Sequence, residues 1–365
     1  MKGEPMRALV KHDSSPGAVG VQDVAEPALQ PGQVLIEIAF AAICGTDRQA
    51  LDGSHDFGVV PRILGHEASG IVRALAPDVD RADLAIGTRV TVETDAVICG
   101  RCEYCRGEQY NRCPNRRGIG TTADGAIAEL LAMPQRAVHP LPDEVGLLEG
   151  ALTEPLAIAV HAVVEQSPSL AGQVVVVIGP GAIGQLCAQV ARAAGATVVL
   201  VGRSRHADAL RRGAAAGART VDAESEDLAA VIHELTGGLG AHTVFECSGA
   251  PETVDESAQL LRRGGRLVLV AFFRGAPPVD LELVINRELE IVGSRGKRPS
   301  SYRTALRLMS EGQVDVGSLV TAVLPLEQWE AGLGRVGGGE KVVFRIAADA
   351  DDQLALAQPR VSSRA

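Results

Sequence analysis

A glycine-rich turn between two apolar runs constrains the fold of this 365-residue chain more than any other feature. Residues 174–178, VVVVI, form a continuous β-branched run, which is typical of a parallel strand buried on both faces. GPGAIG follows directly at 179–184, and a helical pattern at 185–194 leads to a second apolar run at 197–201. A G-x-G-x-x-G between a strand and a helix predicts a dinucleotide site.

The residues of this turn have separate expected roles. Gly179 allows the tight turn, Gly181 lets a pyrophosphate approach the backbone, and Gly184 lets helix and strand pack closely. Ala182 and Ile183 directly precede the predicted helix, whose N-terminus offers free N–H groups and the positive end of its dipole to phosphates. We therefore predict that the turn binds the pyrophosphate of a dinucleotide.

Downstream of the turn, apolar and helical segments alternate. Apolar runs at 242–246 and 266–271 are separated by helical patterns at 227–235 and 251–261. Alternation of this kind predicts an α/β fold with a doubly wound parallel sheet. This part of the chain is therefore expected to form a nucleotide-binding domain of its own.

The residues after the second strand bear on which dinucleotide binds. An NAD site usually has Asp or Glu there to bind the ribose hydroxyls, whereas this chain continues with Arg203, Ser204 and Arg205. Two guanidinium groups suit a 2′-phosphate, because they can form charge-assisted hydrogen bonds with it. The alternative is that both arginines are solvated loop charges. We expect NAD(P) as the cofactor, with NADP favoured.

Four of the seven cysteines lie in one short lobe with the spacing C-x2-C-x2-C-x7-C: Cys99, Cys102, Cys105 and Cys113. This spacing lets four thiolates surround one zinc ion, which makes a closed structural site. An iron–sulfur cluster and a redox C-x-x-C pair are the alternatives. Glycines, arginines and glutamates between the cysteines indicate an exposed loop, which favours zinc. Because a closed site has no position for substrate, we expect the chemistry elsewhere.

The bulk properties exclude two classes of partner. The formal net charge of −10 argues against nucleic acid, because phosphate binding requires a basic face. No apolar run reaches the roughly 18–20 residues that span a bilayer, and the N-terminal segment lacks the apolar core of a signal peptide. We expect a cytoplasmic protein of two or three domains with no nucleic-acid or membrane partner.

Several further motifs acquire meaning only together. In chain order they are CGTD at 44–47, GHEASG at 65–70, GTRV at 87–90, EPLA at 154–157, ECSG at 246–249 and RGGR at 263–266. With the glycine turn and the cysteine lobe, they resemble the zinc-dependent medium-chain alcohol dehydrogenases, and within them the sorbitol/polyol and threonine dehydrogenase branch. The resemblance runs from about Met6 to Ile346. It implies a GroES-like, mainly β catalytic domain beside a Rossmann doubly wound parallel sheet.

The resemblance also implies a catalytic zinc site. Cys44 and His66 are the implied ligands, and Glu67 and Glu154 are the remaining carboxylate candidates. In the polyol branch one of these glutamates can bind the metal while the other bonds its water, so both stay open here. A thiolate, an imidazole and a carboxylate leave the fourth tetrahedral position free. Asp47 matches the carboxylate that accepts a hydrogen bond from the ligating histidine.

Other residues match the proton relay and the cofactor site of the family. Thr46 matches the first relay group, but Gln49 stands where many members have a histidine, and glutamine takes up no proton near neutral pH. The proton is therefore expected to leave through water or another group. The implied cofactor contacts also include Cys247 and Ser248 of the ECSG motif. Two more, Ser294 and Arg295, lie in the region that resembles the loop beside the nicotinamide.

The resemblance divides the chain into successive segments. They are 1–157, the first part of the catalytic domain with the zinc lobe at about 95–115; 158–296, the Rossmann domain; 297–347, the second part of the catalytic domain; and 348–365, a flexible tail. The apolar edge strand at 289–294 resembles the one through which family subunits join their sheets. Because an uncovered edge is a liability, we expect a homodimer or homotetramer.

The implied function is a zinc-dependent, NAD(P)-linked oxidoreductase that interconverts a secondary alcohol and its ketone by hydride transfer. Aromatic residues make up only 3% of the chain, which disfavours a bulky hydrophobic substrate. We expect a small polar substrate such as a polyol, sugar, cyclitol or amino alcohol. The alternatives are a zinc-free quinone or enone reductase on the same fold and a non-catalytic nucleotide-binding protein.

Overall fold

The computed structural model describes residues 5–54, 59–273, 275–336 and 339–347. The chain forms two compact units. Unit 1 comprises Met1–Glu154, Val320–Val336 and Lys341–Ala365, and unit 2 comprises Pro155–Leu319 and Gly337–Glu340. The predicted tail at 348–365 lies outside the described residues.

Strands form most of unit 1 and alternate with helices in unit 2. Within the described ranges the strands are β1 (Pro5–Lys11), β2 (Val19–Ala25), β3 (Gln33–Ala42), β4 (Arg62–Ile63), β5 (Glu67–Leu75), β6 (Arg89–Val92), β7 (Asp95–Val97), β8 (Arg117–Gly118), β9 (Leu130–Pro134), β10 (Val138–Pro140), β11 (Val174–Ile178), β12 (Thr197–Gly202), β13 (Arg219–Asp222), β14 (Ala241–Glu246), β15 (Leu261–Leu269), β16 (Glu290–Gly293), β17 (Val320–Pro325) and β18 (Lys341–Arg345).

The α-helices in the same part of the chain are α1 (Gly45–Asp52), α2 (Glu103–Arg106), α3 (Leu147–Gly150), α4 (Thr153–Val160), α5 (Ala182–Ala193), α6 (Ala207–Ala215), α7 (Leu228–Thr236), α8 (Thr253–Leu260), α9 (Leu281–Arg287), α10 (Pro299–Ser310) and α11 (Trp329–Arg335). A π-helical turn, His161–Glu165, continues α4. Among the described residues, no helix combines the length and the apolarity that crossing a membrane requires.

The larger sheet of unit 1 is built around β3. Its described strands run in the order β10-β6-β5-β3-β18-β17, and β9 also pairs with β3. Val34, Ile36 and Ile38 are buried and alternate with half-buried residues, because one face of β3 covers the core. The register places the end of β3 between the start of β5 and β18, since Ala42 pairs with both Glu67 and Val343. This junction carries the candidate active site.

The sheet of unit 2 is parallel throughout its described strands, in the order β13-β12-β11-β14-β15-β16. This order is the Rossmann arrangement of two βαβαβ halves, so the predicted doubly wound sheet is confirmed. All five residues of β11 are buried, as the unbroken apolar run predicts. A Cβ on Gly184 would lie 1.8 Å from the carbonyl oxygen of Gly179, so α5 can approach this strand only with glycine there.

The segment 297–319 belongs to unit 2, whereas the sequence predicts that it rejoins the catalytic domain. Gln189 on α5 donates a hydrogen bond to the Asp315 carbonyl and accepts one from its N–H, at 3.2 and 2.8 Å. Glu165 accepts hydrogen bonds from Ser300 and Ser301 at 2.6 and 3.0 Å. These contacts join residues more than a hundred positions apart, so they leave no local pattern in the sequence.

Candidate active site

Three potential metal ligands of different chemistry converge in unit 1. Cys44 caps the N-terminus of α1, His66 directly precedes β5, and Glu67 is the first residue of β5. Their ligand atoms all lie within 4.8 Å of one another. Cys44 is half-buried, and the other two side chains are buried. One thiol, one imidazole and one carboxylate fit a zinc ion that keeps a fourth position open.

The backbone before β5 requires glycine to present these ligands. Gly65 has φ +86°, and a Cβ there would lie 2.3 Å from the Ile127 side chain. Since Ala42 at the end of β3 pairs with Glu67, the turn after β3 also lies beside the start of β5. The sheet register therefore brings Cys44 to a histidine and a glutamate more than twenty positions away in sequence.

Asp47 joins the two loops that carry the ligands. Its carboxylate accepts hydrogen bonds from the N–H of Cys44 at 2.9 Å and the N–H of Gly65 at 3.0 Å. The distance from its Oδ1 to His66 Nδ1 is 4.0 Å, which is an ion-pair distance beyond hydrogen-bond range. Burial raises the pKa of the Asp47 carboxyl, and His66 opposes that rise. The direct bonds of Asp47 thus go to backbone on both sides of the site.

Lys341 is part of this site and has no counterpart among the sequence-based predictions. The side chain is buried, its Nζ contacts Glu67 Oε2, and it donates a hydrogen bond to the Ile43 carbonyl at 3.0 Å. A lysine that begins the apolar run KVVF could have drawn attention, because lysine is almost never fully buried without a partner.

The surroundings of Cys44 favour its neutral thiol as long as no cation is present. Burial is the main cause that raises the pKa of Cys44, and the charge of Glu67 adds to it. The charge of Lys341 and the neighbouring Thr46 hydroxyl act in the opposite direction and lower it. A divalent cation at this point would favour the thiolate, since the thiolate is the form that binds metal.

The two glutamates predicted as alternative ligands lie in different positions. Glu67 belongs to the cluster of ligand atoms, whereas Glu154 is not part of that cluster in the described region. Glu154 is buried in the first turn of α4 and is the last residue of unit 1. Of the two carboxylates, the structure brings Glu67 to the thiol and the imidazole.

The four cysteines of the lobe form a separate cluster. The ligand atoms of Cys99, Cys102, Cys105 and Cys113 all lie within 4.8 Å of one another. Backbone N–H groups point at the sulfurs: those of Cys102 and Cys105 donate to the Sγ of Cys99 and Cys102, each at 3.4 Å. Such bonds lower the pKa of Cys99 to about 6, whereas burial raises that of Cys105 to about 12. The cluster fits one ion held by four sulfurs.

A cavity of about 640 Å³ opens over the glycine turn of unit 2. A Cβ on Gly181 would meet no atom within 4 Å, so a ligand has room to approach the backbone there. Six of the predicted cofactor residues line the cavity: Gly179, Gly181, Arg203, Arg205, Cys247 and Ser248. Six others are not among its described lining residues: Ala182, Ile183, Gly184, Ser204, Ser294 and Arg295.

Carboxylates also surround the predicted 2′-phosphate position, although none follows β12 directly. Arg203 pairs with Glu252 at 3.3 Å, and both side chains are exposed. The Ser204 N–H donates to Glu224 at 3.1 Å, and its hydroxyl donates to Asp222 at 2.6 Å. That hydroxyl is the main cause that lowers the pKa of Asp222. These acidic residues come from the end of β13 and from the start of α8, so the motif after β12 does not reveal them.

Comparison with known proteins identifies two matching family models. The model described as alcohol dehydrogenase GroES-like domain matches residues 30–143, and the model described as zinc-binding dehydrogenase matches residues 182–311. Together they cover the first part of unit 1 and most of unit 2. The predicted combination of a GroES-like domain with a Rossmann sheet is therefore confirmed.

Individual relatives match over nearly the whole chain. Sorbitol dehydrogenase from Halalkalibacterium halodurans is 36% identical over 92% of this chain and 98% of its own length. D-arabitol-phosphate dehydrogenase from Enterococcus avium is 34% identical over 90% of this chain and 94% of its own length. A protein of Sinorhizobium meliloti 1021, solved with NADP bound, has a TM-score of 0.85 and 32% identity over 94% of this chain and 100% of that one.

These matches confirm the predicted class of enzyme and set aside the zinc-free reductase and the non-catalytic protein. The protein is an NAD(P)-dependent oxidoreductase that acts on CH–OH groups and interconverts an alcohol and its carbonyl compound. Zinc and a nicotinamide cofactor are the groups that this class uses. The chain therefore belongs to the zinc-type medium-chain dehydrogenase/reductase family.

Proposed function

We propose that this protein is a zinc-dependent polyol dehydrogenase, which oxidises a secondary hydroxyl of a small polar polyol, or of its phosphate ester, to the ketone and catalyses the reverse reduction. The observation that carries the proposal is the convergence of Cys44, His66 and Glu67, with all ligand atoms within 4.8 Å of one another. The names of two relatives, a sorbitol and a D-arabitol-phosphate dehydrogenase, support the substrate class.

In this proposal Cys44, His66 and Glu67 hold the catalytic zinc, and Glu154 is the carboxylate available to replace Glu67. When bound, zinc supplies Lewis acidity, which lowers the pKa of an alcohol and polarises a carbonyl during hydride exchange with the nicotinamide. Asp47 keeps the two ligand-bearing loops at a constant separation through its bonds to Cys44 and Gly65. The chain thus supplies an ordered set of ligands before metal binds.

Thr46 is the proposed first carrier of the substrate proton. Its Oγ1 atom is buried without a hydrogen-bond partner among the described residues, and it is close enough to Cys44 to lower the pKa of that thiol, so it lies next to the proposed metal position. A hydroxyl can accept the substrate proton while it donates its own. Gln49, one turn further along α1, has an amide that neither gains nor loses a proton near neutral pH, so water is the proposed next carrier.

The four-cysteine cluster is the proposed site of a second, structural zinc ion. Four sulfur ligands complete a tetrahedron and leave no position for substrate. The proposal predicts two zinc ions per subunit in metal analysis of the purified protein. A reproducible value of one would contradict it, and a Cys44→Ser variant would then show which of the two clusters is loaded.

The cofactor preference is proposed to be NADP. Arg203 and Arg205 line the cavity beside β12, and no carboxylate follows that strand directly. A 2′-phosphate would replace Glu252 as the partner of Arg203, because the existing pair is exposed and weak. The NADP-bound relative from Sinorhizobium meliloti supports the same preference.

The proposed assembly is a homodimer or homotetramer. β16 is the last strand in the described order of the unit 2 sheet, and Ile291 on it is 37% exposed. Leu281 and Ile285 on the neighbouring α9 are exposed as well. An apolar edge of this kind is normally paired. The measurement is the molar mass in solution, and a monomer at micromolar concentration would contradict the assembly.

A substrate screen tests the proposed activity. Purified protein is supplied with NAD or NADP and with sets of polyols, polyol phosphates, cyclitols and amino alcohols, and nicotinamide reduction is followed by absorbance. We expect turnover within the first two sets and none in a Cys44→Ser variant, which should still bind the dinucleotide. Equal turnover by wild type and by the variant would contradict a reaction at the Cys44 site.

A further inference from the structure

The buried ion pair of Lys341 and Glu67 lies directly at the proposed metal ligands. The lysine is 4% exposed and the glutamate 1% exposed, and Lys341 Nζ contacts Glu67 Oε2. The same Nζ donates to the Ile43 carbonyl at 3.0 Å. A buried ammonium needs partners of this kind, because neither charge is hydrated. The pair is therefore a built feature of the site and not a surface contact.

The sheet topology explains why this position carries a long basic side chain. Lys341 begins β18 and Glu67 begins β5, and these strands lie on opposite sides of β3. Two strand spacings amount to about 10 Å, so only a long side chain can reach across the end of β3. Thr321 on β17 fixes the lysine backbone, since its hydroxyl donates to the Lys341 carbonyl and accepts from the Lys341 N–H, both at 3.1 Å.

The Glu67 carboxylate is both a potential metal ligand and the ion-pair partner of Lys341. Glu67 belongs to the cluster of ligand atoms with Cys44 and His66, yet one of its oxygens already contacts the ammonium of Lys341. The ammonium offsets the negative charge of the carboxylate, so the carboxylate attracts a metal cation less strongly. A positive charge this close also repels a divalent cation, with little screening in a buried site.

We propose that Lys341 is a positioning residue that competes with the metal for Glu67 and thereby limits how tightly the catalytic zinc is held. This inference rests on the proposed zinc site at Cys44, His66 and Glu67. Without metal, Lys341 neutralises the buried carboxylate and holds it in place. With metal, the same contact makes Glu67 a ligand of reduced strength, and the cation leaves this site more readily than it would beside a neutral residue.

The test compares full-length wild type with Lys341→Met, which removes the charge and keeps the length, and with Lys341→Arg, which keeps the charge. Protein is depleted of metal at the Cys44 site and titrated with Co²⁺, whose thiolate absorption reports binding, in competition with a chelator. A Cys44→Ser variant gives the signal of the four-cysteine cluster alone. We expect Lys341→Met to bind Co²⁺ about 10- to 100-fold more tightly than wild type, because it removes a poorly screened positive charge beside the cation, and Lys341→Arg to stay close to wild type.

A second pair of variants shows whether the effect passes through Glu67. In a Glu67→Gln background the carboxylate is gone, so adding Lys341→Met should give a clearly smaller gain in affinity than it gives alone. The double variant leaves no unpaired charge in the site, which makes it the one to use if Lys341→Met alone does not fold. The role of Glu67 would be overturned if the double variant gained as much affinity over Glu67→Gln as Lys341→Met gains over wild type. If Lys341→Met does not fold, a gain of about tenfold or more in the double variant over Glu67→Gln would overturn that role.

The outcomes separate this inference from the function on which it rests. If wild type takes up no Co²⁺ beyond the signal of Cys44→Ser, the proposed catalytic metal site is wrong and the inference falls with it. If wild type binds the metal and Lys341→Met binds it equally or less tightly, the inference alone is overturned. Tighter binding by Lys341→Met together with a lower melting temperature of its metal-free form supports the competition.

Discussion

The two cysteine-containing clusters of unit 1 differ in how they are assembled. Cys99, Cys102, Cys105 and Cys113 lie in one continuous lobe, and their sulfurs are brought together by local turns and N–H···S bonds. The Cys44 cluster draws on residues from the end of β3, the start of β5 and the start of β18. The lobe, which is built from nearby residues, offers four identical sulfur ligands. The cluster that is built across the sheet combines a thiol, an imidazole and a carboxylate with the positive charge of a lysine.

This difference predicts separate consequences for damage to each cluster. Loss of a ligand at the Cys44 site should affect turnover, because the proposed zinc there keeps a position for substrate that four sulfur ligands would not leave. Loss of a ligand in the lobe should affect stability, because its ion would contribute to folding. The first three of the following four variants, given in order of expected effect, test that contrast, and the fourth concerns the cofactor site.

Cys44→Ser should give the largest effect. Removing the thiolate ligand weakens the Lewis acid at the site, and several kcal/mol of lost transition-state stabilisation correspond to a drop in kcat of about a thousandfold or more. Steady-state turnover and the melting temperature are measured side by side. A melting temperature near that of wild type is expected. An unfolded variant would contradict the expectation that loss of a ligand at the Cys44 site affects turnover and not stability.

Cys102→Ser should lower stability by several kcal/mol, since structural zinc binding is coupled to folding. Denaturant unfolding, together with metal analysis that falls from two ions to one, is the measurement. Cys187→Ser is the matched control, because Cys187 is a buried cysteine outside both clusters. Similar losses of stability in both variants would indicate packing alone and argue against a structural ion.

Gly65→Ala tests the backbone conformation that places His66 and Glu67 in the Cys44 cluster. The positive φ and the 2.3 Å approach to Ile127 should cost about 1–3 kcal/mol and displace His66. Gly32→Ala is the control, since Gly32 also has positive φ but a Cβ there meets nothing within 4 Å. Metal affinity at the Cys44 site should fall only in the Gly65 variant, as measured by chelator competition.

Arg203→Ala should give the smallest effect and one confined to the cofactor. Losing a charge-assisted bond to a 2′-phosphate should raise the KM for NADP about tenfold and leave the KM for NAD nearly unchanged. Arg211→Ala, an exposed arginine paired with Asp208, is the control. An equal rise in the KM values for NADP and NAD would show that Arg203 does not bind the 2′-phosphate.

Much of the fold was predictable, because its signals are local. The buried strand β11, the glycine turn and helix α5 follow one another without a gap, so their pattern is visible in a short stretch of sequence. The spacing of the four cysteines is local in the same sense. Each residue of the Cys44 cluster gives only a weak signal alone, and the prediction of these residues depended on the family resemblance of the motifs around them.

Other features required the tertiary structure. The segment 297–319 belongs to unit 2 and forms hydrogen bonds with Gln189 and Glu165. A local sequence pattern does not predict these contacts. Asp222 at the end of β13 and Glu224 just after it accept hydrogen bonds from Ser204, although both lie outside the motif that suggested NADP. Asp47 bonds two backbone N–H groups, where the resemblance implied a bond to His66.

By itself, the sequence determined the strand–turn–helix elements of the nucleotide unit, the cysteine lobe and the family, since these depend on residues close together in the chain. The tertiary structure alone decided that Lys341 meets Glu67, 274 positions away. That contact follows from the order in which β5, β3 and β18 pair. Strand order depends on the packing of the whole sheet, so a short-range pattern cannot reveal which distant charges it brings together.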